Sequence, residues 1–223
     1  MKPEHFQHIS GYRFKQEHLL KQALTHRSFS RTHNNERLEF LGDSVLSLVI
    51  SQFIFQQLPE ATEGELSRIR ASLVKEETLA NVARDINLGD HIHLGGGELK
   101  SGGFRRSSIL SDALEAIIGA IYLDSSFEQA KNAVLYFYRD YLQTLPDSQA
   151  LKDPKTRLQE LLQAQQKDVP NYEVVQTVGK DHEQTFTVQC QIPSLSLETT
   201  GKGASRKKAE QVAAETALRK LLS

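Results

Sequence analysis

The sequence predicts two units of different class. An all-α domain spans residues 1–147, a linker 148–153, and an α+β domain of αβββα order 154–223. Three observations predict this. Apolar residues recur at the helical period through the first two thirds of the chain, and they alternate at a period of two in part of the last third. The change follows residues 143–153, a stretch rich in Pro, Asp, Ser and Gln.

The helical elements fall at 37–58, 63–75, 76–86, 108–123 and 127–142. Thr62 with Glu65 three residues on forms a capping box that starts the second. Residues 87–107 are glycine-rich and read as loop. After Pro154 comes a helix at 155–166. Tyr172, Val174 and Val178 then mark one strand, and Phe186, Val188, Cys190 and Ile192 a second, half-buried one. Gly179 to His182 reads as the hairpin turn between them, Pro193 ends the second strand, and Leu195-Ser-Leu197 is a short third. A helix at 205–222 closes the chain, and both helices of this unit belong on one face of an antiparallel sheet.

Composition bounds the function. With 223 residues, 39% hydrophobic and 25% charged, the chain is globular rather than disordered or collagenous. No apolar run reaches the ~18 uncharged residues of a bilayer span, and Met-Lys-Pro-Glu-His-Phe lacks the apolar core of a secretory signal. The single cysteine, Cys190, excludes an internal disulfide framework and a multi-cysteine zinc site. A cytoplasmic protein with no membrane partner and no small-molecule cofactor is expected. The net charge of −1 divides into −3 over residues 1–150 and +2 over 151–223. A nucleic-acid partner must therefore be argued from local clusters.

Acidic residues on the apolar helices carry the first such argument. Apolar residues cover nearly the whole circumference of 37–58, as in a buried helix. Yet Glu36, Glu39 and Asp43, at i, i+3 and i+7, share one of its faces. Asp112 and Glu115 repeat the situation beside Leu114, Ile117, Ile118 and Ile121. Like charges at that spacing repel by a few tenths of a kcal/mol in water, and by far more where water is excluded. Converging carboxylates of this kind form an all-oxygen site for Mg²⁺ or Mn²⁺. Such a site brings up water as a nucleophile and steadies charge on a phosphoryl oxygen. Spacing alone leaves a solvated acidic face as the alternative.

Asn35-Glu-Arg-Leu-Glu-Phe-Leu-Gly-Asp-Ser-Val-Leu46 resembles the signature motif of ribonuclease III, and Ser111-Asp-Ala-Leu-Glu-Ala116 that family's second acidic motif. Leu24-Thr-His-Arg-Ser28 and Glu98 to Arg106 are also similar to stretches of the bacterial enzymes. The resemblance runs from about residue 10 to residue 222, with no departure at an acidic position. It implies the ribonuclease III endonuclease fold, followed by a double-stranded RNA-binding domain. By it, Glu39, Asp43, Asp112 and Glu115 hold Mg²⁺ (Mn²⁺ can substitute), and Glu115 is the residue most tightly tied to cleavage. Glu36 and Glu63 lie by the RNA in a supporting role. It further implies a homodimer whose two sites each cut one strand, leaving staggered ends with 5′-phosphate and 3′-hydroxyl. The cellular roles implied are maturation of ribosomal RNA precursors and processing of messengers and other structured transcripts. Phe40 would pack into the partner subunit, an ordinary core position being its alternative.

In the last third, Gly201-Lys-Gly-Ala-Ser-Arg-Lys-Lys-Ala209 resembles the corresponding segment of double-stranded RNA-binding domains. Ser205 is a candidate N-cap, with Arg206, Lys207 and Lys208 in the first turn. Cations there oppose the helix dipole by ~0.3–1 kcal/mol each, and a bound phosphate reverses that cost. The resemblance places Thr156, Gln159 and Glu160 against 2′-hydroxyls of a minor groove, and His182 at a neighbouring groove. Recognition is then of duplex shape; no aromatic platform for single strands is present.

Other signals weigh less. His91-x-His93 before Gly95-Gly-Gly97 lacks a third metal ligand and the Gly-Lys-Ser/Thr ending of a phosphate loop. Cys190 lies on the inward phase of its strand. The roles of His26, Arg27, Arg105 and Arg106 stay open. The competing function is a non-catalytic RNA binder that kept the fold, which predicts a broken carboxylate set. A small-molecule phosphoesterase would leave the basic C-terminal segment unexplained.

Overall fold

The computed structural model describes residues 11–180 and 184–222. It falls into two compact units, residues 1–151 and 152–223. The division falls inside the stretch 148–153. Ser148 Oγ and Gln149 Nε2 donate to Glu65 Oε1, and Leu151 packs on the core of the first unit.

The first unit is helical: α1 Glu17–Ala23, α2 Glu36–Gln57, α3 Glu63–Val74, α4 Glu76–Asp85, α5 Gly96–Lys100, α6 Ser107–Asp124, α7 Phe127–Phe137 and α8 Arg139–Gln143. The capping box starts α3 as expected: Glu65 N donates to Thr62 Oγ1, and Thr62 N to Glu65 Oε2. Three features depart from the sequence-based expectation. First, α1 lies outside the predicted set. Second, the glycine-rich stretch 87–107 is not all loop; it holds α5 and two 3₁₀ turns, Leu88–His91 and Gly103–Arg105. Third, the helix expected over 127–142 breaks at Tyr138, whose fully buried ring sends its Oη to Leu73 O at 3.2 Å.

The core of this unit is the crossing of α2 with α6. Leu46, Ile50 and Ile54 of α2 meet Leu114, Ile117 and Ile118 of α6 in a cluster closed to solvent. Two glycines let these helices approach almost backbone to backbone. A Cβ on Gly42 would overlap the Glu115 carbonyl oxygen, and one on Gly119 would overlap that of Leu38. Among the described residues, α2 alone is long and apolar enough to cross a bilayer, with 22 residues and mean hydropathy 1.5. In the fold it packs along α6 with 39% of its apolar 18-residue window buried, and its N-terminal part carries Glu36, Glu39 and Asp43. Its composition predicts a helix buried all round, and the fold departs from that: Phe40 is 79%, Leu48 57% and Phe55 69% exposed. Helical phase puts these three within one arc of about 80°.

The second unit is α9 Pro154–Ala164, β1 Asn171–Val178, β2 Thr185–Ile192, β3 Leu197–Gly203 and α10 Arg206–Leu222. The sheet is antiparallel in the order β1-β2-β3. Tyr172 pairs with Cys190, and Ile192 with Leu197. The third strand lies further along than Leu195-Ser-Leu197. Pro193–Leu195 is a 3₁₀ turn, and Ser196 at φ 47° reverses the chain before pairing begins at Leu197. Gly201 and Gly203, which hide the strand in the sequence, allow close approach of α10. A Cβ on Gly201 would overlap the Ala209 carbonyl oxygen. Leu158 and Leu162 of α9, Cys190 and Ile192 of β2, and Ala213, Ala214 and Ala217 of α10 form the core. Cys190 is buried as its strand phase predicts.

Candidate functional site

The close crossing of α2 and α6 decides which carboxylates meet. One oxygen each from Glu39, Asp112 and Glu115 lies within 4.8 Å of the others, and all three residues are half-buried. Asp43, one turn beyond Glu39, is exposed and stays outside that group, although its charge reaches both Glu39 and Glu115. Burial, and then the charges of Asp43, Glu39 and Asp112, push the Glu115 carboxyl up to about 8. Burial also raises Glu39, with help from Asp112 and Glu36, and burial raises Asp112. Three carboxylates that resist ionising together are a site short of positive charge.

The donor set suits a small hard cation. Oxygens across an octahedral ion of the Mg²⁺ class stand about 4.2 Å apart, twice the metal–oxygen distance. At most one pair among three ligand oxygens can take that separation, adjacent oxygens standing about 3 Å apart, so a group within 4.8 Å closes on such an ion by side-chain movement. No nitrogen or sulfur ligand belongs to this group, which disfavours zinc.

Glu39 and Asp112 also form part of the wall of a cavity of about 650 Å³. Glu36 and Glu98 join them in the lining, together with Arg27, Arg31 and Arg106. Arg27 Nη1 reaches Glu36 Oε1 at 3.4 Å, and Arg106 Nη1 reaches Glu98 Oε2 at 3.0 Å. Asn34 Nδ2 donates to the other Glu36 oxygen. His26 lines the same cavity, its ring bonded to Ser28 Oγ at 2.8 Å, and burial lowers its pKa. Arg105, by contrast, lies over the Phe104 ring at 5.0 Å and is not part of the cavity wall. Glu63 is exposed on the first turn of α3, accepts from Ser67 Oγ, and is likewise absent from that wall.

In the second unit the candidates gather at the starts of its two helices. Asp153 caps α9, accepting from Thr156 N and, at 2.8 Å, from Thr156 Oγ1. Gln159 and Glu160 are exposed on α9, and Glu160 holds Lys152 Nζ at 2.6 Å. Ser205 caps α10 through Lys208 N, and Arg206, Lys207 and Lys208 are all exposed. His182 lies outside the described residues. Sequence reasoning missed Lys155 and Glu210, which tie α9 to α10. Their one signal is the Arg206–Glu210 spacing of i, i+4. It also missed Gly42 and Gly119, which read simply as helix interior.

Family models match both units: Ribonuclease-III-like over residues 16–142 and Double-stranded RNA binding motif over 154–221. The chain is 54% identical to Ribonuclease 3 of Vibrio cholerae over 211 residues, covering 95% of this chain and 93% of that protein. It is 55% identical to Ribonuclease 3 of Hahella chejuensis over 217 residues, covering 97% and 96%. Among solved structures, a nuclease domain of ribonuclease III from Campylobacter jejuni, described for flexibility in its dimer-forming region, superposes with a TM-score of 0.60 at 47% identity. That match covers 62% of this chain and 97% of the other.

Proposed function

The chain belongs to the ribonuclease III family, and from that premise we propose that it cleaves double-stranded RNA by divalent-cation-assisted hydrolysis at Glu39, Asp43, Asp112 and Glu115. The observation that carries this reading is the convergence of Glu39, Asp112 and Glu115 across the α2–α6 crossing, with Glu115 pushed to about 8.

Mg²⁺, for which Mn²⁺ can substitute, is the cation assigned to this site; it supplies charge against phosphoryl oxygens and favours water as the nucleophile. The residues supply the rest. Glu39, Asp112 and Glu115 would hold the cation, with Glu115 in its carboxylate form. Asp43, whose charge already reaches Glu39 and Glu115, would add a fourth carboxylate. Water attacks phosphorus in line and the 3′-oxygen leaves, so the products carry 5′-phosphate and 3′-hydroxyl. Glu36 and Glu63 are assigned supporting positions beside the RNA.

Arg27 and Arg106 are assigned to backbone phosphate. The Arg27–Glu36 pair is exposed, and such pairs contribute only about 0–1 kcal/mol; the Arg106–Glu98 pair is partly exposed. A bidentate phosphate contact replaces them at small cost.

Duplex recognition is assigned to Thr156, Gln159, Glu160 and His182 at minor grooves, and to Ser205, Arg206, Lys207 and Lys208 at phosphates. Residues 148–153 are the proposed connection between a nuclease domain over 1–147 and an RNA-binding domain over 154–223. The exposed strip Phe40, Leu48 and Phe55 is assigned to the homodimer interface, with Phe40 packing into the partner subunit, so that two sites cut two strands. Membership of the family supports maturation of ribosomal RNA precursors and processing of other structured transcripts, in the cytoplasm, as the proposed cellular roles.

The test is incubation of a long RNA duplex with the protein in Mg²⁺ and in EDTA. Staggered fragments in Mg²⁺ alone are expected. Intact duplex in both, from protein that still binds it, would leave only the non-catalytic binder.

A further inference from the structure

Glu210, in the first turns of α10, is the charged residue of the second unit that is buried among the described residues, 9% exposed overall. A carboxylate there requires partners, since an unpaired buried charge is strongly destabilising. It has two. Lys155 Nζ, from the first turn of α9, donates to Oε2 at 2.6 Å, and Arg206 Nε donates to Oε1 at 2.9 Å. These two cations hold its carboxyl below the usual range.

The two partners differ in freedom. The Lys155 side chain is two-thirds buried and its ammonium also lies over the Tyr172 ring, 4.4 Å from the centroid. Its backbone N–H is tied to Gln211 Oε1, and Gln211 Nε2 in turn to Asp153 Oδ1. Lys155 is thus an anchor. The Arg206 side chain is 65% exposed and meets the carboxylate through Nε. Its Nη fork, the part of a guanidinium that grips a phosphate with two parallel bonds, is left for another acceptor.

We propose that Glu210 is a positioning residue for duplex RNA: anchored by Lys155, it orients the Arg206 guanidinium so that its Nη fork presents to a backbone phosphate. The chain of contacts runs Lys155, Glu210, Arg206, so the phosphate contact at the start of α10 is held in fixed relation to the groove-facing residues of α9. This rests on the reading of the first turn of α10 as a phosphate site. The gain is pre-organisation, because an arginine already held in its bound rotamer loses less freedom when the RNA arrives. Lysine is a poorer replacement: its single ammonium is a point donor with no separate planar fork to give two parallel bonds to phosphate while it is bonded to Glu210.

The experiment measures binding of the full-length protein to a long RNA duplex in EDTA over a series of KCl concentrations. Glu210→Gln and Arg206→Lys are each expected to bind about three- to tenfold more weakly at every salt concentration, the effect of freeing one long side chain. Their log K against log salt slopes should match the unaltered protein, since the cation count at the phosphates is unchanged. Arg206→Gln is expected to reduce the slope by about 0.9. In the Arg206→Gln background, Glu210→Gln should cost less than about twofold more, because nothing remains to be oriented.

Glu210→Gln also removes a buried charge, so melting is followed for each variant. If it unfolds the second unit, Arg206→Lys, which leaves Glu210 intact, carries the test. Arg206→Lys binding as tightly as the unaltered protein would overturn the proposal. So would a Glu210→Gln loss that is equally large in both backgrounds, which would make Glu210 a support of the fold. Failure of the unaltered protein to bind duplex in a salt-dependent way would instead sink the reading of α10 as a phosphate site.

Discussion

Gly42 is packed so tightly against the main chain of Glu115 that a Cβ on Gly42 would overlap the Glu115 carbonyl oxygen and lie 2.9 Å from Gly119 N. Gly42 sits one residue before Asp43 and three after Glu39, so the contact that joins the helices also sets the separation of their carboxylates. Both obstacles are backbone and cannot rotate away. Gly42→Ala should therefore force the helices apart, costing about 1–3 kcal/mol of stability or more. It should also weaken cation binding beyond what the stability loss explains. Calorimetry with Mg²⁺ or Mn²⁺, beside thermal melting, checks both. Gly119→Ala, facing Leu38 O, should behave alike. Unchanged cation affinity in a folded variant would show that the crossing does not set the site.

Glu115 makes the metal-free protein sensitive to pH in a definite direction. Its native carboxyl titrates at about 8, against 4.5 for an unperturbed glutamate. Between those values the native state holds a proton that the unfolded chain has released, so stability must fall as pH rises. The contribution is whole below about 4.5 and is lost as pH passes about 8. Melting in EDTA from about pH 5 to pH 9 should show this decline, with Glu115→Gln flattening it. Mg²⁺ should bind more tightly as pH rises through the same window. Parallel melting profiles for the two proteins would remove Glu115 as the cause.

Glu115→Gln should also abolish cutting while leaving duplex binding in place, because a neutral amide keeps the shape but not the charge. Gel assays of cleavage in Mg²⁺ and of retention in EDTA separate the two. Loss of both in a folded variant would mark Glu115 as structural.

Phe40 is 79% exposed, so shortening it opens no cavity in its own subunit. Phe40→Ala should leave helical content intact while weakening self-association about thirtyfold, the effect of a central aromatic anchor. Sedimentation equilibrium reads it directly. A dimer of unaltered affinity would move the interface elsewhere.

Lys207 and Lys208 are exposed in the first turn of α10. Each change to Gln should reduce the salt slope of duplex binding by about 0.9. A chain ending at Leu151, which keeps that residue's packing on the first core, should lose most of its duplex affinity and have a flatter slope. It should still cut at low salt and high RNA concentration. An unchanged slope would place the RNA contacts outside the second unit.

The sequence by itself determined the type and order of most elements, though not α1, α5 or the break between α7 and α8 at Tyr138. Helical and strand periods, the Thr62–Glu65 box, the Ser205 cap and the inward phase of Cys190 are local properties, and a local pattern is written in neighbouring residues. It also determined which acids were candidates, because carboxylates on apolar helices are visible as a conflict. The tertiary structure alone decided which of them meet. Asp43 shares a face with Glu39 along the chain, yet the group that closes within 4.8 Å takes its other members from α6. That selection is made by contact between glycines distant in sequence, whose meaning is absent until two backbones touch. Likewise, the exposure of Phe40 depends on what the rest of the fold fails to cover, and the pairing of Glu210 on a helix elsewhere in the chain. Periodicity reports which face a residue lies on; only packing reports what stands opposite it.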